Sequence, residues 1–321
     1  MSLYQEIRPD NFDDIVGNSV TIGALRSMLR KSADSRPHAI LFKGPYGCGK
    51  TTLARILARE FGSDASSIIK ISANNTNGIE TVREISANAH LIGLGGMAKT
   101  YIIDESHELT NRAQEGFLDI TEDNPPYCYF IFCTTNPAAI SEGIHERCTE
   151  YEVRLLRKNE IESVLKRACE KKGLNVSPDI IEAITLTCGG SARVALVSLE
   201  QVAGIDDIDK ALELLVSGTM RDATVLDLLK LLIMAPEQRR KKWKQIITTF
   251  DAITADSEVI RRSILTFLYN KLKKYDRVED AMDITHLLRI FSVSTYYGKK
   301  SQLGALVARA CFESGQEDGY Q

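Results

Sequence analysis

The chain has 321 residues, 44% of them hydrophobic and 26% charged, with a formal net charge of −3 at pH 7. That length exceeds one comfortable core and suits two or three domains, and the composition excludes a disordered or disulfide-stapled chain. The slight acidity excludes a surface that grips nucleic acid all over, so any DNA contact has to be a local patch or a shared channel.

The segment Met1–Pro9 carries no apolar leader, and no run approaches the length of a membrane span. A soluble, cytoplasmic protein with no membrane partner is expected. His38–Lys43 then predicts a buried strand, Gly44–Lys50 a glycine-rich loop and Thr51–Phe61 an amphipathic helix. Ile68–Ser72 predicts a second strand and Ile79–His90 a helix. Thr100–Ile103 leads a third strand into Asp104, Tyr129–Thr134 is a fourth and Glu150–Leu155 a fifth. Strands alternating with helices imply an α/β fold whose parallel sheet is covered on both faces.

Beyond Leu155 the pattern is helical. Lys158–Lys172 ends at Gly173; Ser177–Cys188 has Ser177 as N-cap and Pro178 at the first helical position; Ser191–Ala203 follows. From about Gly218 to Cys311 come long amphipathic segments such as Ala223–Met234 and Glu258–Lys273, then a polar tail, Glu313–Gln321. Three domains are expected: an α/β domain over 1–156, a helical lid over 157–217 and an all-α domain over 218–321. The seven cysteines form no CxxC pair, which reads as reduced, buried thiols.

Gly44-Pro45-Tyr46-Gly47-Cys48-Gly49-Lys50-Thr51 fits GxxxxGK[ST] between a strand and a helix, the context that gives the motif its meaning. Glycines turn backbone N–H groups inward around phosphates, and the helix N-terminus adds positive potential. Lys50 reaches the β- and γ-phosphates of ATP, Thr51 gives a hydroxyl to Mg²⁺, and Thr52 follows in the same turn. Tyr101-Ile102-Ile103-Asp104-Glu105 is an apolar strand ending in two acids. Asp104 is the expected Mg²⁺ ligand and Glu105 the residue that polarises the attacking water. Asn136, just past the fourth strand, is placed to bond the γ-phosphate or that water; before Pro137 it is equally a turn residue.

Taken together these residues resemble the AAA+ sliding-clamp loaders, that is, replication factor C small subunits, bacterial gamma/tau subunits and phage clamp loaders. The resemblance runs from about Tyr4 to Glu200. Tyr4, Arg8, Pro9 and Val16 lie in a stretch similar to the family's adenine-binding segment. Ser72-Ala73-Asn74-Asn75, Gly78-Ile79 and Val82-Arg83-Glu84 resemble the approach to its DNA-facing helix. Asp104-Glu105-Ser106-His107 resembles the bacterial DExH form, and Asn136 falls at sensor 1. Glu146-Arg147-Cys148 stands where the family has Ser-Arg-Cys, whose arginine acts in trans on a neighbour's ATP; Glu here replaces Ser. Gly190-Ser191-Ala192-Arg193 resembles sensor 2, whose arginine touches the γ-phosphate in cis. The cysteine-rich insertion of the gamma/tau subunits is missing.

The resemblance implies an AAA+ nucleotide-binding domain with a lid and an oligomerising collar. It implies an ATPase, working with Mg²⁺, that opens a sliding clamp and loads it onto primer–template DNA. It also implies a pentameric ring or spiral of subunits, in a host's cytoplasm if the source is a phage. Arg83, Asn75, Thr76 and Asn77 are the DNA-contact candidates, and Leu91–Gly96 a candidate clamp contact; Arg83 reads equally as part of a solvated helix face, and Leu91–Gly96 as a loop folded back on its own domain. Arg239-Arg240-Lys241-Lys242-Trp243-Lys244 reads as a helical segment with Trp243 in the core and its basic residues solvated. His107 reads as a link from the nucleotide to the DNA side. Two other functions stay open: a nucleotide-binding scaffold subunit that does not hydrolyse, and another AAA+ DNA-remodelling ATPase.

Overall fold

The computed structural model describes residues 2–73, 78–89, 98–123, 127–205, 210–211, 214, 223–253, 257–272, 278–293, 295 and 299–313. The chain divides into two compact units: Met1–Val164 with Gly190–Arg193, and Leu165–Gly189 with Val194–Gln321.

The first unit contains, in chain order, α1 (Leu3–Glu6), α2 (Ser19–Leu29), β1 (Ala39–Lys43), α3 (Lys50–Glu60), β2 (Ile68–Ser72), α4 (Ile79–Ala89), β3 (Lys99–Asp104), α5 (Asn111–Asp123), β4 (Cys128–Thr134), α6 (Glu142–Arg147) and β5 (Thr149–Glu152). The five strands form one sheet in the order β2-β3-β4-β1-β5, with every neighbouring pair parallel. Such a sheet must be apolar on both faces, and the sequence supplies this by alternation. On β4, Tyr129, Ile131 and Cys133 pack with Leu53, Ile56 and Leu57 of α3, while Phe130 and Phe132 pack with Val82 and Ile85 of α4 and Phe117 of α5. Phe61 stacks on Tyr129 with centroids 4.0 Å apart, and Phe117 meets Phe132 edge-on at 5.3 Å.

The parallel register brings the carboxyl ends of β1, β4 and β3 level, with Lys43 opposite Thr134 and Cys133 opposite Asp104. Ligands bind at that edge of an open α/β sheet. The fifth strand is shorter than the sequence suggests. It ends because the Arg154 amide leaves the ladder to donate to Asn18 Oδ1 at 2.8 Å, while Asn18 Nδ2 donates to the Arg154 carbonyl at 3.0 Å.

Further helices are α7 (Lys158–Lys172), α8 (Pro178–Thr187), α9 (Ala192–Val202), α10 (Ala223–Leu232), α11 (Pro236–Lys241), α12 (Trp243–Ala252), α13 (Ser257–Leu272), α14 (Val278–Phe291) and α15 (Lys299–Phe312). Ser177 caps α8 by accepting from the Ile180 amide. Within the second unit, Leu229, Ile246, Ile264, Leu287, Phe291, Leu303 and Val307 form a continuous helical core, with Trp243 partly buried against it. The basic run at 239–244 needs one correction. Arg239 is not solvated but fully buried, and it donates to Asp283 at 2.7 and 2.9 Å and to the Leu232 carbonyl at 2.8 Å. A sequence shows the charge but not the acid on α14 that takes it inside. All seven cysteines are free thiols.

Candidate nucleotide site

The loop Gly44–Gly49 leaves β1 and enters α3 through backbone that only glycine adopts readily. Gly44 has φ +156°, and a Cβ there would lie 2.0 Å from the Val153 carbonyl oxygen. Gly47 has φ +76°, and its Cβ would lie 2.2 Å from Ser191 Oγ. Cys48 and Lys50 are buried in the loop. The Lys50 ammonium donates to the carbonyls of Gly44 at 2.8 Å and Pro45 at 2.9 Å. Among the described residues its hydrogen-bond acceptors are neutral, which suits a group meant for phosphate.

Asp104, at the tip of β3, accepts from Thr51 Oγ1 at 3.1 Å on one oxygen and pairs with Lys70 Nζ at 2.7 Å on the other. Since β4 lies between β1 and β3, it is the side chains of Thr51 and Asp104 that close the gap. Glu105 follows at φ +53°, a left-handed conformation that costs a bulky residue about 1–3 kcal/mol and persists where the surroundings enforce it. Ser106, buried beneath, donates to the Cys133 carbonyl at 3.1 Å and fixes this turn. His107 lies 3.3 Å from Thr134 Oγ1, 3.4 Å from Thr135 Oγ1 and 3.6 Å from Glu105. It therefore joins the ends of β3 and β4.

Cations crowd the same mouth. Arg8 Nε donates to Thr52 Oγ1 at 3.0 Å. Burial, then repulsion from Arg55 and Arg193, pulls the Arg8 guanidinium below its ordinary value, with Asp104 partly offsetting the drop. Arg193 lies over the rings of Tyr4 and Tyr46, 5.2 and 5.4 Å from their centroids, and donates to the Tyr46 hydroxyl at 2.8 Å. Three arginines gathered where they repel one another call for an anion. Pro9 and Val16 are half-buried in the same N-terminal stretch.

A nucleoside triphosphate with Mg²⁺ fits this donor set. The loop offers backbone too tight for any side chain, the cations offer charge, and Thr51 and Asp104 offer the hard oxygen ligands that magnesium takes. Two contributors escape a sequence reading. Arg55 lies one helical turn past Thr51, so its signal is an i+4 spacing. Lys70 reaches Asp104 only because β2 pairs with β3 in the register that sets Ser72 opposite Asp104.

The other candidates lie further along the unit. Asn136 is exposed two residues beyond β4, with its amide donating to Thr134 Oγ1 at 3.1 Å. Arg147 ends α6, a helix that the sequence reading treats as plain connection, and pairs with Glu122 of α5 at 2.9 Å. Arg83 is exposed on α4. Asn75, Thr76, Asn77 and the loop Leu91–Gly96 lie outside the described residues. Among the described residues no helix is long and apolar enough to cross a membrane.

Residues 62–157 match the family described as DNA polymerase III, delta subunit. The DNA polymerase III subunit gamma/tau of Mycobacterium tuberculosis is 31% identical over 231 residues, covering 64% of this chain and 40% of that protein. The replication factor C small subunit of Archaeoglobus fulgidus is 31% identical over 208 residues, 64% of each chain. The DNA polymerase III subunit gamma of Buchnera aphidicola is 26% identical over 303 residues, 86% of this chain and 82% of that one. This chain thus spans well under half the length of the mycobacterial relative. In fold it is similar to the Holliday junction branch migration motor RuvB of Thermotoga maritima, with a TM-score of 0.58 and 21% identity over 71% of this chain and 79% of that one.

A five-stranded parallel sheet with a phosphate loop after β1 and an acid pair after β3 defines a P-loop nucleotide-binding domain, with a fold similar to that of RuvB. The similarity to gamma/tau and replication factor C small subunits covers 64% of this chain.

Proposed function

We propose that this chain is an ATP-hydrolysing subunit of a clamp loader, which opens a sliding clamp and places it on primer–template DNA. The contact that supports hydrolysis over a scaffold role is Thr51 with Asp104 at 3.1 Å, with Glu105 held next in line. A scaffold subunit has no use for a strained carboxylate beside a complete phosphate loop. The gamma/tau and replication factor C relatives support the clamp-loading part.

In this reading Lys50 and the loop amides bind the β- and γ-phosphates, while Tyr4, Arg8, Pro9 and Val16 bound the base. Thr51 and Asp104 hold Mg²⁺, which neutralises charge on the phosphates when bound. Glu105 orients the attacking water, Asn136 and Arg193 face the γ-phosphate, and Arg147 serves the site of the next subunit. Residues 1–156 bind nucleotide, 157–217 act as lid, and 218–321 hold the subunits together in a ring or spiral of five. Arg83 and Asn75–Asn77 face the DNA backbone.

The test is steady-state ATPase with and without primer–template DNA and candidate clamps. Turnover that rises only when both are present is the expected result. Turnover indifferent to both leaves an AAA+ ATPase and removes the clamp-loading assignment.

A further inference from the structure

The segment between β4 and β5 carries two residues with separate tasks in the reading above: Asn136 for the subunit's own nucleotide and Arg147 for its neighbour's. A histidine lies between them. His145, on α6 two residues before Arg147, is about a quarter exposed, and both its ring nitrogens meet oxygen acceptors. Nε2–H donates to the Pro137 carbonyl at 3.1 Å, next to Asn136, and Nδ1 bonds a carboxylate oxygen of Glu150 on β5. The other Glu150 oxygen accepts from Lys43 Nζ at 2.8 Å, and Lys43 is the last residue before the phosphate loop.

A neutral imidazole has one N–H and one lone pair, so it leaves one of these two acceptors facing a lone pair. Only the doubly protonated ring serves both. Of the charges around the ring, Glu150 of β5 favours the cation and Lys43 of β1 opposes it; Glu152 lies on β5, Glu122 on the packed helix α5, and Glu142, Glu146 and Arg147 on α6 itself. Burial works against the cation, but the bonds to Glu150 and Pro137 outweigh it and raise the ring above the ordinary histidine value. Bonds from Lys43, against the cost of burial, and from His145 hold Glu150 below the usual carboxylate range.

We propose that His145 is a positioning residue, held as an imidazolium between the Pro137 carbonyl and the Glu150 carboxylate, and that it sets where Arg147 lies relative to the nucleotide site of its own subunit. The line Lys43–Glu150–His145–Pro137 runs from the strand before the phosphate loop to the residue after Asn136. The helix bearing Arg147 is pinned to its middle. Movement at the loop or at Asn136 is then passed to the arginine presented to the neighbouring subunit. This rests on the reading of Arg147 as acting in trans.

The sign follows from the protonation. A cation stabilised by folding contributes fully below the unfolded histidine value and is lost as pH rises through the raised folded one. Nitrogen-15 NMR of the imidazole in the free subunit, from pH 6 to 9, reads the ring directly. A midpoint above that of an ordinary histidine is expected, with two protonated nitrogens below it, and it should fall in Glu150→Gln. In the assembled loader, His145→Leu should keep its nucleotide affinity yet lose up to about a hundredfold in turnover, the scale of an ångström's misplacement. Wild-type turnover should fade through the pH at which the ring titrates, and at lower pH in Glu150→Gln. A midpoint at or below that of an ordinary histidine, or wild-type turnover and pH profile in His145→Leu, overturns the proposal. Arg147→Ala is the control: if it leaves turnover unchanged, the trans reading itself fails and the positioning role falls with it, whatever charge the ring carries.

Discussion

Glu105 shows how a single residue is held in place beside the phosphate loop. Its backbone sits in a region that a glutamate avoids, and Ser106, bonded to the β4 carbonyl of Cys133, keeps it there. Glu105→Gln preserves size and removes only the charge proposed to polarise water. It should bind ATP as the native chain does and hydrolyse it about a hundredfold more slowly or worse, the span of a lost general base. Equilibrium binding and single-turnover hydrolysis measured on one preparation check both halves. Lys50→Ala should instead lose the nucleotide, because Arg8, Arg55 and Arg193 gather beside the loop and not within it. The acid pair and the loop are plain in the sequence, since strand, motif and helix are contiguous. Lys70 and Arg55 are not, since each acts across a distance that only the register or the helix pitch creates.

At the scale of elements, the covered sheet carries the site and should fail as a unit. Phe132 is wholly buried and meets Phe117 edge-on, so Phe132→Ala should cost about 3–5 kcal/mol in urea denaturation. The start of α7 gives a pH-dependent case. Glu160 accepts from Arg154 at 2.6 and 2.8 Å and from the Arg157 amide at 2.7 Å. The Arg154 bonds, with burial opposing, bring its carboxyl down to about 2 from 4.5. A depressed carboxylate stabilises fully above its unfolded value and stops doing so as pH falls through the folded one. Glu160→Gln should therefore cost about 1–3 kcal/mol near neutrality, and that gap should close between pH 4.5 and 2. Parallel denaturation curves of the two proteins read it.

The strands that a sequence shows well are those buried on both faces. β4 matches its expected span to a residue because every position is apolar or small. β5 does not, because the Asn18 side chain that ends it comes from the other end of the unit. Helix α5 is faint in sequence for a similar reason: Gly116 interrupts it. A Cβ there would come within 2.9 Å of Ile79 and Val82, so the glycine serves the close approach of α4. Arg239 is the reverse case, a residue whose type says surface and whose partner, Asp283, lies on a distant helix.

For the whole molecule, the net charge of −3 confines any DNA contact to particular residues. Arg83→Ala should weaken DNA stimulation of turnover and lower the salt slope by about one, the mark of a lost phosphate contact. An unchanged slope assigns Arg83 to the solvated face of α4. Arg147 is tested by mixing subunits. Arg147→Ala alone should bind ATP and lose about a thousandfold in hydrolysis. Mixed with Lys50→Ala subunits it should regain part, since each supplies what the other lacks; no recovery in any mixture places the arginine's action within its own subunit. The pairing of Lys70 with Asp104 gives the protein a resident counter-ion at its proposed magnesium ligand. In the proposed site Lys70 would keep its hold on Asp104 against magnesium alone, whose only gain would be a single carboxylate, whereas the phosphates of a bound nucleotide would supply charge for both cations. Thermal stability should thus ignore free magnesium and rise with magnesium and ATP together, and Lys70→Met should make the protein a sensor of the bare ion.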